Sequence, residues 1–333
     1  MTIKTVEFVT PAHPDKMCDQ ISDIILDECL KQDPDSRVAI ETMIWHWEVK
    51  ITGELTTNAE VDFVPLIEKV LEDNRYDPED FKQIDINIVK QSNYIAQGVD
   101  TGWAGDQWIM VGYATIETAN LMPLEYEIAR DILYDMWHTF PQCRDAKSQV
   151  TTEDWNIKTI VVSAERMQTE VILNFLKEKF PEDLYWEIRF IVNPCWDRDW
   201  WPDADAGVTW RKLVVDNYWP QIEIGWWAFS GKDPSKVDRS GAYYARYLAT
   251  KNLIEKWLRR CKVKIAYSIW IADPVMVSIE SDQWEIEYDW PTITPKHIKE
   301  KLELTQPMYY RASKRWHFGR EFNWDYSPAQ FNS

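Results

Sequence analysis

The chain has 333 residues, a formal net charge of −18, 45% hydrophobic residues and 28% charged residues. That composition describes a globular chain of two or three domains, and the acidic balance argues against nucleic acid as a main partner. No apolar run approaches the roughly 20 residues that span a bilayer. The scattered Cys18, Cys29, Cys143, Cys195 and Cys261 lack the spacing of a zinc or redox site. With no secretory pattern over the first nine residues, a cytoplasmic protein with reduced thiols is expected.

In chain order, residues 10–16 (T-P-A-H-P-D-K) form a loop fixed by two prolines. A helix is expected over 15–32, where Met17, Ile21, Ile24, Ile25 and Cys29 recur at helical spacing and Asp33-Pro34 ends the run. Residues 37–44 and 48–57 read as strands, 61–74 as a helix and 84–89 as a strand. Residues 92–108 are polar and small, the pattern of a mobile loop. Helices are expected over 122–138, 165–179, 241–259 and 295–304, and strands over 158–163, 187–192 and 263–269. Residues 193–210 have no periodicity and read as a long loop. Without a strict βαβ alternation, α+β is favoured over a doubly wound sheet. Loops place domain boundaries at 1–97, 98–222 and 223–333.

Several loops carry short clusters of cations and carboxylates. His13, Asp15 and Lys16 precede a helix, where anions are favoured. Residues 145–149 read D-A-K-S-Q, 205–212 D-A-G-V-T-W-R-K, and 225–240 G-W-W-A-F-S-G-K-D-P-S-K-V-D-R-S. Taken singly, each suits a solvated loop. Together they supply Lys147, Arg211, Lys212, Lys232 and Lys236 as cations, with Asp15 and Asp238 as magnesium ligands. That combination suits a magnesium–polyphosphate site. Neither a P-loop nor a dinucleotide fingerprint is present.

H-P-D-K at 13–16, G-E-L-T-T at 53–57, G-D-Q at 105–107, D-A-K-S-Q-V at 145–150, F-S-G-K-D-P-S-K-V-D-R-S at 229–240 and H-F-G-R-E at 317–321 occur in that order. In these motifs the chain resembles the methionine adenosyltransferases, or S-adenosylmethionine synthetases, of a compact bacterial type, over residues 6–326. The resemblance implies three similar α+β domains around a pseudo-threefold axis. It implies a homodimer or homotetramer with active sites shared between subunits, ATP and L-methionine as substrates, and Mg2+ and K+ as ions. It places His13, Lys147 and Lys232 in catalysis, and His13, Asp145, Lys147, Asp205, Arg211, Lys212, Ala228 and Lys232 around ATP. Glu54, Gln91, Asp205 and Lys236 contact methionine, Asp15 and Asp238 hold Mg2+, and Glu41 holds K+. Residues 92–108 correspond to a gating lid. An ATP-binding relative without turnover and a magnesium-dependent tripolyphosphatase are the alternatives.

The departures share one pattern. The family's glycines are replaced by tryptophan at Trp108, Trp200, Trp201, Trp210, Trp226, Trp227 and Trp316, and Trp47, Trp103, Trp196, Trp219, Trp257 and Trp270 fall on or beside others. Around 197–199 a family Phe is missing. The chain has 20 Trp and only 10 Gly, well under half the usual glycine share of about 7%. Glycine serves where φ is positive or where backbone approaches a phosphate. The expectation is therefore a UGA codon that its own lineage reads as glycine, with Trp324 a true tryptophan.

Overall fold

The computed structural model describes residues 1–91, 103–194, 203–218, 222–225, 227–283, 293–319 and 322–326. Residues 92–102 of the expected lid at 92–108, the segment 197–199 and Trp196, Trp200, Trp201, Trp219 and Trp226 lie outside the described residues.

Three sheets carry the fold. The first contains β2 (Arg37–Trp45), β3 (Glu48–Thr56), β4 (Gln83–Val89) and the short β9 (Gly207–Val208), in the order β4-β3-β2-β9. The second contains β1 (Ile3–Val9), β6 (Ala146–Glu153), β7 (Asn156–Ala164) and β8 (Arg189–Val192), in the order β1-β6-β7-β8. The third runs β11 (Met276–Ser281), β10 (Arg260–Tyr267), β5 (Trp108–Thr115).

A common plan repeats. A hairpin is followed by a helix and a parallel third strand in β2-β3-α2-β4, where α2 spans Phe63–Asp73, and again in β6-β7-α4-β8, where α4 spans Thr169–Lys179. On its free edge, the first hairpin strand receives an antiparallel strand from a distant part of the chain. That strand is β9 beside β2, β1 beside β6 and β5 beside β10. One long helix covers each such pair: α1 (Pro14–Gln32) on β2 and β9, α3 (Leu124–Thr139) on β1 and β6, and α6 (Val237–Glu255) on β5 and β10. This is the α+β, threefold-related architecture expected from the motifs.

Helix α1 is buried almost throughout its first thirteen residues, charged ones included. It is central rather than amphipathic, so its polar side chains must find partners inside the protein. The same holds for α6, where Asp238, Arg239, Ser240, Arg246 and Thr250 are all buried. Gly112 lets β5 touch α6, since a Cβ there would stand 2.0 Å from the Ala245 carbonyl carbon.

The structure moves several expected elements. The helix expected over 241–259 begins four residues earlier, at Val237 after Lys236 as N-cap, and its last turn closes at Lys256 and Trp257. The helix expected over 165–179 begins at Thr169, after a turn with Arg166 in a left-handed conformation. The expectation passed over β1, β5, β6, β11, α5 (Glu182–Glu187) and α8 (Tyr309–Lys314), and β9 lies inside the stretch 193–210 expected to be a loop. In β6 the inward positions are Ala146, Ser148, Val150 and Thr152, so half of the buried face is hydroxyl. A short helix, α7, spans Pro295–Lys301.

Candidate active site

Pro14 opens α1 at its first helical position, where its missing N–H costs nothing. His13 is the N-cap, and its Nδ1 accepts the Asp15 N–H at 3.2 Å. With Nδ1 accepting, the hydrogen-bond pattern assigns the proton of a neutral ring to Nε2. That atom is buried and has no hydrogen-bond partner among the described residues. Burial, reinforced by Lys212, Lys147, Lys16 and Arg211, holds His13 well below the usual imidazole range. His13 therefore presents a neutral N–H donor.

Around it lies a first cluster. Asp15 accepts the Val208 N–H at 3.0 Å and the Lys212 ammonium at 2.6 Å, with the Arg211 guanidinium 3.8 Å away. Lys147 is delivered by the β1–β6 ladder, where it lies opposite Val9. Asp145 is buried and its Oδ1 has no partner. Burial pushes its carboxyl up to about 7 against the pull of Lys147, with Glu165 and Asp205 adding to the rise.

A second cluster forms where residues 229–238 cross the outer end of β2. Lys232 bridges to Ala39, and its Nζ lies 2.6 Å from Asp238 Oδ1. Gly231 makes the crossing possible: φ is +79°, and a Cβ would stand 2.0 Å from the Ile40 oxygen. Glu41 lies on the same strand with Oε2 buried and unpartnered. Burial pushes it up to about 7, with Lys232 opposing and Asp238 adding. Glu54 faces Ala39 across the β2–β3 ladder. Gln91 donates its N–H to Thr56 Oγ1 at 3.2 Å and leaves its own Oε1 buried and unpartnered. Ala228 is buried beside Phe229. Lys236 pairs with Asp233.

The indoles of Trp108 and Trp227 meet at 4.0 Å, and Lys232 Nζ lies 5.8 Å from the Trp108 ring. Two large side chains thus occupy the space beside the lysine.

The structure reveals a set of residues that the motif reading did not use. Asp15, Asp19, Asp23 and Asp27 recur every four residues along α1. Successive members drift about 40° around the axis, so each faces a different loop. Asp19 accepts the Trp210 N–H at 3.0 Å, and Asp23 accepts the Gly231 N–H at 2.8 Å and the Arg239 guanidinium at 2.6 Å. Asp27 accepts the N–H groups of Met308, Tyr309 and Tyr310 at 2.8–2.9 Å. Lys16 lies between Asp19 at 3.0 Å and Asp216 at 2.5 Å. One ammonium cannot compensate two buried carboxylates, and burial raises both of them. The aspartate spacing was legible in the sequence as a signal, since four carboxylates at i, i+4 on a buried helix require four sets of donors.

Each cluster gathers its members within one chain. His13, Asp15, Asp145, Lys147, Asp205, Arg211 and Lys212 form the first, while Glu41, Lys232, Lys236 and Asp238 form the second, with Glu54 opposite Ala39 on the neighbouring strand, Gln91 held to Thr56 of that strand and Ala228 just before the segment that carries Lys232. Among the described residues no hydrogen bond or ion pair joins the two. Asp205 and Lys236, expected together at methionine, fall on different clusters. A groove of about 1060 Å³ lined by Lys4, Tyr113, Trp155, Arg260 and Lys262 lies away from both.

Three family descriptions match the chain in succession: the S-adenosylmethionine synthetase N-terminal domain over residues 1–98, its central domain over 101–197 and its C-terminal domain over 201–326. An S-adenosylmethionine synthase from Wolinella succinogenes is 39% identical over 365 aligned positions, covering 96% of this chain and 94% of that protein. A solved structure described as an unusual S-adenosylmethionine synthetase from Campylobacter jejuni superposes with a TM-score of 0.87 at 29% identity, covering 99% of this chain and 98% of that one.

Proposed function

The chain belongs to the S-adenosylmethionine synthetase family, and from that premise we propose that its two charged clusters are the two halves of one active site, completed by a second copy. The reaction is S-adenosylmethionine formation by a methionine adenosyltransferase. The observation that carries the site assignment is chemical. Among the described residues His13, Asp145, Glu41 and Gln91 each keep a buried polar atom without a hydrogen-bond partner, and a ligand would supply one.

Methionine sulfur attacks C5′ of ATP, the C5′–O5′ bond breaks, and triphosphate leaves. The sulfur carries no proton, so no general base is required. The barrier lies in alignment and in the charge that develops on the leaving oxygen. The neutral His13 Nε2–H donates to that oxygen. Lys147, Arg211 and Lys212 from one copy and Lys232 from the other grip the phosphates, with Asp145, Asp205 and Ala228 beside the nucleotide. Glu54, Gln91 and Lys236 orient methionine. Water then cleaves triphosphate to diphosphate and phosphate.

The residues present fit the family's cations. Asp15 and Asp238 already hold an ammonium each, and among the described residues no cluster of three metal-ligating side chains exists. Asp15 in the first cluster and Asp238 in the second would each hold Mg2+, which would supply charge neutralisation at the phosphates. Glu41, half-buried with an Oε2 that has no hydrogen-bond partner among the described residues, suits K+. Exposed apolar residues on sheet strands, including Ile86, Val89 and Ile109, favour burial between copies, as a homodimer or a pair of dimers. Among the described residues no helix is long and apolar enough to cross a membrane, in keeping with a cytoplasmic enzyme.

Complementation tests the shared site. Lys147→Ala and Lys232→Ala are each inactive. Co-assembled, they regain about a quarter of full turnover, because half the dimers are mixed and one site in each is intact. Mixtures that stay inactive reject the two-copy site.

A further inference from the structure

Six of the thirteen non-glycine residues with positive φ among the described ones are tryptophan: Trp47 (65°), Trp155 (74°), Trp210 (77°), Trp257 (55°), Trp270 (61°) and Trp316 (60°). Tryptophan is 20 of 333 residues, so chance does not concentrate it there. Positive φ is costly for a bulky side chain and free for glycine.

The turns themselves select glycine. Asp154 (45°) and Trp155 (74°) join β6 to β7 as a two-residue loop with both φ positive. That is a type I′ turn, whose preferred sequence is Asp-Gly or Asn-Gly. His46 (48°) and Trp47 (65°) join β2 to β3 in the same way. At the end of α6 the Leu258 N–H reaches the Leu253 oxygen at 3.0 Å, and the Trp257 N–H reaches the Ile254 oxygen at 3.4 Å. This is a Schellman motif with Trp257 at the left-handed position, the place glycine usually takes. The Ile271 N–H returns to the Ser268 oxygen at 3.1 Å, with Trp270 third in that turn at φ 61°. Positive φ at that place again calls for Gly.

Trp316 is buried against Phe8 and Trp47 is half-buried against Phe81, but at the other four burial does not compensate. Trp257 is 89% exposed, Trp270 61%, Trp155 60% and Trp210 50%. A second class of tryptophan behaves differently. Trp324 is fully buried, donates Nε1–H to the His317 oxygen at 2.6 Å and stacks on Tyr243 at 3.8 Å. Trp137 lies inside α3 under the Arg75 guanidinium at 3.9 Å. Their backbones are ordinary and their indoles are used.

We infer that glycine occupies positions 47, 155, 210, 257, 270 and 316 in the protein as its own cell makes it. The shared cause is a UGA codon that this lineage reads as glycine and that other decoding tables read as tryptophan. Trp155 extends the set beyond the positions that the motifs reach. If Trp108 and Trp227 share the codon, the space beside Lys232 opens for a ligand.

The gene sequence decides the matter. UGA is expected at 47, 155, 210, 257, 270 and 316, and UGG at 137 and 324. UGG at 155, 210, 257 and 270 overturns the inference. Peptide mass spectrometry on protein from the source cell reads the residues directly, and tryptophan mass at those four positions overturns it equally. The chain as written and one with glycine at 155, 210, 257 and 270 can also be compared by thermal melting. Glycine is expected to raise the melting temperature by at least about 6 °C. An unchanged or lower value rejects the strain argument. None of these readouts depends on the two-copy site.

Discussion

Helix α1 and the tight turns each hold residues at odds with their surroundings, carboxylates in a core and indoles on left-handed backbone. In α1 the conflict is resolved by neighbours. Asp15, Asp19, Asp23 and Asp27 are buried or nearly so, and each accepts one or more backbone N–H groups. Trp257 is 89% exposed, and Trp155 is 60% exposed with the Lys4 ammonium 4.6 Å from its ring centroid, a contact too weak to offset the strained backbone. The difference separates a residue the fold requires from one the fold merely endures.

The sharpest way to break that comparison is to remove a member of the helix set. Asp23→Ala leaves Arg239 buried without its carboxylate, and urea unfolding should show a loss of about 3–5 kcal/mol. A loss below about 1 kcal/mol would mean that the helix carboxylates are as dispensable as the turn indoles.

The turns should respond in the opposite direction. Trp257→Gly and Trp155→Gly are each expected to gain about 1–2 kcal/mol. Their effects should add, because the two turns share no partner.

Asp145 tests whether a buried carboxylate that lacks donors behaves unlike those that have them. Its folded pKa of about 7 lies above the unfolded value of 3.8. Its stability contribution is therefore full below the unfolded value and lost as pH rises through 7. Asp145→Asn should be more stable than the parent by about 1–2 kcal/mol at pH 8, with the gain fading towards pH 4, while its Michaelis constant for ATP rises. An equal gain at both pH values would remove ionisation as the cause.

The smallest effect is expected at His13. Its folded pKa is depressed, so between that value and about 6.5 only the unfolded chain takes up the proton, and stability falls with falling pH. His13→Asn keeps an N-cap acceptor and should match the parent at pH 8. At pH 6 it should be more stable by under about 1 kcal/mol, measured by chemical denaturation.

Much of the fold was legible in the sequence where periodicity was strong. The expected helix over 15–32 and strands over 37–44 and 48–57 lie within a residue or so of α1, β2 and β3. The misses have physical causes. In β6, Ser148 and Thr152 face inward and bury hydroxyls on Ala129 and Glu125, so hydrophobic alternation is too weak to mark a strand. Helix α6 begins inside K-V-D-R-S because Asp238 and Arg239 are paired, which no periodicity announces. The site residues were recognisable as motifs. Their division into two clusters was not, since it depends on β1 and β9 crossing into sheets built from other segments.

The aspartate series on α1 also limits how this chain can change length. One residue inserted between Asp15 and Asp27 would turn everything beyond it by about 100°. Anchors on one side of the insertion would then face away from the loops they hold. Point substitutions can erode such a helix gradually, but a single-codon insertion or deletion would dismantle it at once. Gene length in this stretch is therefore fixed by the rotational phase of one helix.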